Sequence, residues 1–204
     1  MLGTEQEDLK DIPGKLRSIL LLLPKDEVYQ EKLQEKNSDV GVGVGQENSS
    51  QGKIYFQEPN MFFIKKHDGN VCGTIVLIHS VVTGYKRLVF FISLKFSFIR
   101  NKQLLLADSP LKTFLDAAQS LSPSERGDLL LQSEDLMAAH SEAAKEGETS
   151  QVEEAAHHLI SFVRVGDQIY DMDSLASKPH WVAECEDETF PGEALKAARE
   201  YIDR

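Results

Sequence analysis

Three residues have the types that nucleophilic catalysis needs: Cys72, His158 and Asp173. A thiolate can attack a carbonyl carbon. It needs a base to take its proton, and the base needs an acceptor that fixes its orientation. Cys72 stands between a polar, glycine-containing stretch, His67 to Val71, and an apolar run, Ile75 to Ile78. That pattern predicts a loop entering a buried helix. At a helix start the unpaired N–H groups and the macrodipole favour the thiolate. A free cysteine is most often a small buried hydrophobe. Cys72 departs from that rule because of its position and because a base and an acid follow downstream. Cys185 has no histidine beside it and reads as an ordinary thiol.

The elements that would position the other two residues form a hairpin. Leu159–Val165 and Gln168–Met172 are extended, apolar runs joined by Gly166-Asp167, a short-turn signal. His158 begins the first strand and Asp173 follows the second, so the hairpin brings them together. His157 is an alternative base, but adjacent strand residues point to opposite faces, so only one of the two can reach Cys72. Asp171 shares the face of Asp173, and the residues alone leave both open as the acid. His79 lies two helical turns beyond Cys72 and is expected to be packed rather than catalytic. His140 is expected in a loop.

Elsewhere Ile19–Leu23, closed by Pro24, predicts a central strand, and Asp26–Asn37 is charged and mildly helical. Ser38–Lys53 is a loop. Its Gly41, Gly43 and Gly45 lack the preceding strand and following helix that a phosphate loop requires. Ile54–Ile64 is extended and aromatic-rich. Pro110–Gln119 is an amphipathic helix with Leu111, Phe114, Leu115 and Ala118 on one face. Ser122 and Glu125 form a capping-box signal around Pro123, for a helix expected to run to about Met137. Glu142–Glu154 is expected to be a long exposed loop, and Glu193–Arg204 a helix.

Composition narrows the function. The 204 residues carry a net charge of −11, 41% of them are hydrophobic, and only two are cysteines. One domain with a packed core fits that length. The acidic balance argues against nucleic acid or an anionic membrane as partner. Two cysteines rule out a disulfide-framed secreted scaffold. Leu16–Leu23 and Val89–Ile99 are too short to span a bilayer, and the acidic N-terminus is unlike a signal peptide. The chain reads as soluble and cytoplasmic. No Cys/His cluster has zinc-site spacing, so neither metal nor cofactor is expected.

Several stretches together resemble the ubiquitin C-terminal hydrolases, which are papain-like cysteine deubiquitinases. Asn70-Val-Cys72-Gly-Thr, with His79 seven positions after the cysteine, is similar to the family's nucleophile motif. His158-Leu-Ile-Ser-Phe and Tyr170-Asp-Met-Asp173 resemble its histidine and acidic strands at the same spacing. Ser18 to Pro24 resembles its first buried strand. Leu121 to Arg126 and His140 to Gly147 resemble a helix and the start of the loop that crosses the active site. The resemblance implies an α/β fold in which a mostly antiparallel sheet lies between helices. It implies a triad of Cys72, His158 and Asp173, and selects His158 over His157 and Asp173 over Asp171. The implied activity is hydrolysis after the C-terminal glycine of ubiquitin or a ubiquitin-like modifier, with a loop at about 141–156 over the cleft. The implied enzyme is a monomer. Ubiquitin's basic face and tail suit an acidic surface.

Three features depart from the family pattern. Lys66 stands six residues before Cys72, where the family carries an oxyanion-binding glutamine; its charge sits on a flexible stem and does not reproduce a fixed amide. Both ends are read as short against the family. Gly84–Arg100 has no family counterpart and is read as an insertion. These features suggest a second reading, a ubiquitin-binding homologue or fragment with impaired catalysis.

Overall fold

The computed structural model describes residues 16–38, 61–66, 69–86, 109–146 and 157–202. Four strands and six helices follow in the order β1 (Ser18–Pro24), α1 (Glu27–Ser38), α2 (Cys72–Lys86), α3 (Pro110–Ala118), α4 (Pro123–Gln132), α5 (Glu134–Glu146), β2 (His157–Val165), β3 (Gln168–Asp171), β4 (His180–Glu184) and α6 (Phe190–Ile202). The strands form one antiparallel sheet in the order β1-β2-β3-β4.

The hairpin expected from Gly166-Asp167 is β2–β3. Gly166 takes φ 67°, a left-handed conformation that glycine adopts without strain. Alternation along β2 divides the sheet's two faces. Ile160 and Phe162 point to one face, where Leu23, Tyr29, Ile169, Phe190, Ala194 and Ala198 close a core under α1 and α6. The other face meets α2, and Gly73 approaches the side chain of Leu159 there. A second core joins Phe62, Ile64, Ile75, Ile78, Phe114 and Leu130 across the 61–66 segment, α2, α3 and α4. Each fully buried aliphatic or aromatic side chain of this kind stabilises the fold by about 1.5–3 kcal/mol.

Three sequence expectations need correction. Ile19–Leu23 lies in a strand, but at the end of the described sheet rather than its centre, and Leu20 and Leu22 are 42% and 58% exposed. Continuous hydrophobicity does not distinguish an interior strand from one at the end of the described sheet. The helix expected to run to Met137 breaks at Ser133, whose N–H turns back to the Leu130 carbonyl. Beyond the break, α5 carries helix through Glu142 to Glu146, where a loop was expected. Its alanine-rich sequence has high helix propensity, which outweighs the polar composition that suggested a loop.

β4 escaped sequence reading, because it is short and follows a turn-rich stretch. Residues 84–86 end α2. The remainder of the 84–100 segment, the Gly41–Gly45 stretch and the crossing segment beyond 146 lie outside the described residues. No helix among the described residues is long and apolar enough to cross a membrane.

Candidate active site

Cys72 is the first residue of α2, as its sequence context predicts. Its side chain reaches the end of the sheet where β2 begins. The β2 burial pattern separates the two adjacent histidines: His157 is exposed and His158 is buried. Backbone alternation points the two to opposite faces, and His158 takes the buried side with Tyr29 and Asp173.

His158 Nε2 lies 2.8 Å from Asp173 Oδ1. That contact commits Nε2 to the carboxylate and leaves Nδ1 as the ring nitrogen able to take the proton of Cys72; the Cys72 thiol itself lies 3.9 Å from Asn70 Oδ1, to which it donates. Burial pushes the Cys72 thiol up. The hydrogen bonds from His158 and the Leu159 backbone, with the positive charges of His158 and Lys66, outweigh burial and bring it down to about 7. Burial likewise disfavours the charged imidazole, but the Asp173 hydrogen bond and charge raise it overall. Asp173 is fully buried, which alone would raise its carboxyl; His158 and Lys36 hold it well below the usual carboxylate range. These directions favour a thiolate–imidazolium pair over a neutral thiol and imidazole.

Asp173 is heavily bonded. Besides His158 it accepts from the Leu175 N–H at 3.0 Å, from the Tyr29 hydroxyl at 3.2 and 3.1 Å, and from Lys36 Nζ at 3.1 Å. The Tyr29 ring also lies against the His158 ring, with centroids 5.5 Å apart. Asp171, the alternative acid, instead pairs with Lys36 at 2.7 Å and accepts the Tyr201 hydroxyl at 2.6 Å. The two aspartates share a face, as the strand pattern predicts, and tertiary packing gives them different partners.

Sequence reading missed Tyr29, Lys36 and Tyr201. A signal was present: Tyr29, Lys32, Leu33 and Lys36 follow helical spacing i, i+3, i+4, i+7 on the face of α1 that becomes buried. Two lysines on an inward face imply carboxylates opposite them.

Lys66 sits in the short segment before Cys72, and its positive charge acts on the thiol. The segment is held by backbone bonds from Lys65 N–H to the Pro123 carbonyl at 2.9 Å and from Lys66 N–H to the Ser174 carbonyl at 2.8 Å. The Ser122–Glu125 capping box starts α4, which supplies both Pro123 and Arg126. Arg126 donates to the Phe63 carbonyl at 3.1 Å and covers the Phe62 ring.

The remaining histidines take structural places. His79 is fully buried, accepts the Ile64 N–H on Nε2 at 3.0 Å and stacks on Phe63. Burial lowers its imidazole to about 3, so it stays neutral. His140 lies in α5 rather than a loop, and its Nδ1 is 2.9 Å from the Thr74 hydroxyl. Cys185 is buried in the core under α6.

Comparison with known proteins bears on the family and the fold. The family model for ubiquitin carboxyl-terminal hydrolase, family 1, matches residues 1–203. A ubiquitin carboxyl-terminal hydrolase of Drosophila melanogaster is 29% identical over 207 residues, covering 100% of this chain and 79% of the relative. The human ubiquitin carboxyl-terminal hydrolase isozyme L1 is 28% identical over 204 residues, with the same coverage. Among solved structures, the catalytic domain of Trichinella spiralis UCH37 bound to ubiquitin vinyl methyl ester matches with a TM-score of 0.62. It is 17% identical, over 100% of this chain and 76% of that one. The longer UCH37 chain from the same organism, also bound to ubiquitin vinyl methyl ester, matches with a TM-score of 0.57 over 96% of this chain and 60% of that one. The structural matches establish the shared fold, and the family match over nearly the whole sequence establishes descent: this chain belongs to family 1 of the ubiquitin carboxyl-terminal hydrolases.

Proposed function

We propose that the protein is a cysteine deubiquitinase that hydrolyses the ester, thioester or amide bond following the C-terminal glycine of ubiquitin. The observation that carries this reading is the His158–Asp173 pair, 2.8 Å apart, beside Cys72 at the start of α2, with His158 close enough to help draw the thiol down to about 7. Cys72, as thiolate, attacks the carbonyl carbon of the glycine. His158 gives the leaving amine, thiol or alcohol its proton, and a thioester forms on Cys72. Water then attacks the thioester, His158 accepts its proton, and free ubiquitin departs with the thiolate restored. Asp173 orients the imidazole and stabilises its charged form. Lys66 contributes positive charge beside the thiolate.

The catalytic unit is read as one domain spanning 1–204, acting as a cytoplasmic monomer. The acidic surface suits the basic face of ubiquitin. The reading as a catalytically impaired ubiquitin-binding homologue or fragment is not favoured, because the chain matches the hydrolase family over residues 1–203 and the His158–Asp173 pair stands beside a cysteine at the start of α2.

The test is ubiquitin carrying an electrophilic C-terminal warhead. The expected result is a covalent adduct that is lost in Cys72→Ala and in His158→Ala. Folded protein that forms no adduct would overturn the reading.

A further inference from the structure

Two carboxylates share one ammonium behind His158. Lys36 Nζ lies 2.7 Å from Asp171 Oδ2 and 3.1 Å from Asp173 Oδ2, and the three side chains are 8%, 3% and 0% exposed. The Tyr201 hydroxyl donates to the same Asp171 oxygen, while Asp171 Oδ1 has no hydrogen-bond partner among the described residues. The proposed reaction uses neither Asp171 nor Lys36. A buried carboxylate with an unsatisfied oxygen is costly, so its retention calls for a reason.

Charge balance supplies one. An ammonium next to Asp173 competes with His158 for the same carboxylate. In a buried site such charges are weakly screened, so Lys36 alone would cancel much of the field that stabilises the imidazolium. Asp171 restores the balance. Its negative charge matches that of Lys36, and Asp173 then presents one uncancelled negative charge to His158. The geometry agrees, since Lys36 stands nearer to Asp171 than to Asp173.

We propose that Asp171 is a positioning residue: it holds Lys36 in a matched pair, which leaves the Asp173 carboxylate to His158. This rests on the reading of His158 as the catalytic base. Other titratable or charged groups face the pair. Lys32 and Glu35 of α1, Glu200 and Tyr201 of α6 and His180 of β4 line a cavity of about 440 Å³ with Lys36 and Asp171, and Lys32 is paired to Glu200 at 3.8 Å. Tyr29 bonds Asp173 from α1, and Cys72 and Lys66 approach from the α2 side. Except for Asp171 and Lys36, all of these stay unchanged in the variants below.

The test compares the full chain with Asp171→Asn, Lys36→Met and the double variant. Two readouts are taken: the titration midpoint of the His158 imidazole by NMR, and the alkaline limb of kcat/KM on a C-terminal ubiquitin ester. Asp171→Asn is expected to lower both, on the order of one pH unit, because Lys36 then cancels Asp173. Lys36→Met/Asp171→Asn is expected to return both to the wild-type position, because the matched pair is removed together. Lys36→Met alone is expected to leave the midpoint at or above wild type. An unchanged or higher midpoint in Asp171→Asn overturns the proposal, as does a double variant that fails to recover. So does a rate loss equal at every pH with an unshifted titration, which is what a merely structural role would give. Should Asp171→Asn not fold, a midpoint below wild type in Lys36→Met overturns it. If the wild-type protein turns over no ester, the functional reading fails, and the NMR titration still decides the inference.

Discussion

The Tyr29 hydroxyl lies 3.2 and 3.1 Å from the two oxygens of Asp173, joining the first helix to the carboxylate that holds His158. Asp173 is thereby fixed by Tyr29 and Lys36 of α1 and by the Leu175 backbone, and in the proposed mechanism its duty is toward the imidazole. Replacing it by asparagine keeps the shape and removes the charge. Asp173→Asn is expected to lower kcat on the order of 10²–10⁴-fold with little change in KM, because the imidazolium loses its counter-charge and its tautomer. Steady-state kinetics on a C-terminal ubiquitin ester checks this, and a KM-dominated loss would count against it.

Lys66→Gln separates two effects of one side chain. The lysine charge helps hold the Cys72 thiol down at about 7. Without that charge the thiol rises, so the acid limb of the pH–rate profile moves to higher pH. Above the limb a glutamine amide can bond the developing oxyanion, and turnover is expected to rise by up to about 10²–10³-fold. A pH profile of kcat shows both. Lower turnover at every pH would mean that the lysine, not an amide, suits this site.

His79 links stability to pH. Its folded-state value, about 3, lies below its ordinary 6.5. As pH falls through 6.5, the unfolded chain gains a proton that the folded chain refuses. The stability due to the neutral ring is therefore complete above 6.5 and declines between 6.5 and 3, with a slope of up to about 1.4 kcal/mol per pH unit. His79→Gln can still accept from the Ile64 N–H and does not titrate. Urea midpoints at neutral and mildly acidic pH are expected to converge in this variant; an undiminished pH dependence would place its origin elsewhere.

Gly166 tests the hairpin apart from the chemistry. A Cβ there would meet nothing within 4 Å, so the cost of a side chain is purely that of a left-handed backbone at φ 67°. Gly166→Ala is expected to destabilise the fold by about 1 kcal/mol, and Gly166→Asn by less. Urea denaturation measures this. The pH dependence of kcat should be unchanged in both, since neither substitution touches His158 or Asp173.

Much of the site follows from local rules that a sequence states directly. A polar turn before an apolar run puts Cys72 at a helix start. A glycine turn between two alternating runs makes the hairpin. Strand alternation sets His158 apart from His157. Ser122, Pro123 and Glu125 together define a helix start, because Ser122 and Glu125 each accept the other's backbone N–H and Pro123 presets the first helical φ. Where the expectations erred, at the break at Ser133, the helical 141–146 stretch and the end position of β1, competing local preferences were nearly balanced and packing chose between them.

What the tertiary structure decided is who meets whom. Asp171 and Asp173 are indistinguishable by strand pattern, and only contact with Tyr201 for the first and His158 for the second sets them apart. Tyr29 lies 144 residues before Asp173, and Lys36 lies 137 before it. No periodicity spans such distances. The sequence determined the chemistry available and the elements that carry it. The fold determined the charge balance around one buried imidazole, because electrostatic interaction depends on distance in space and on burial, neither of which is written along the chain.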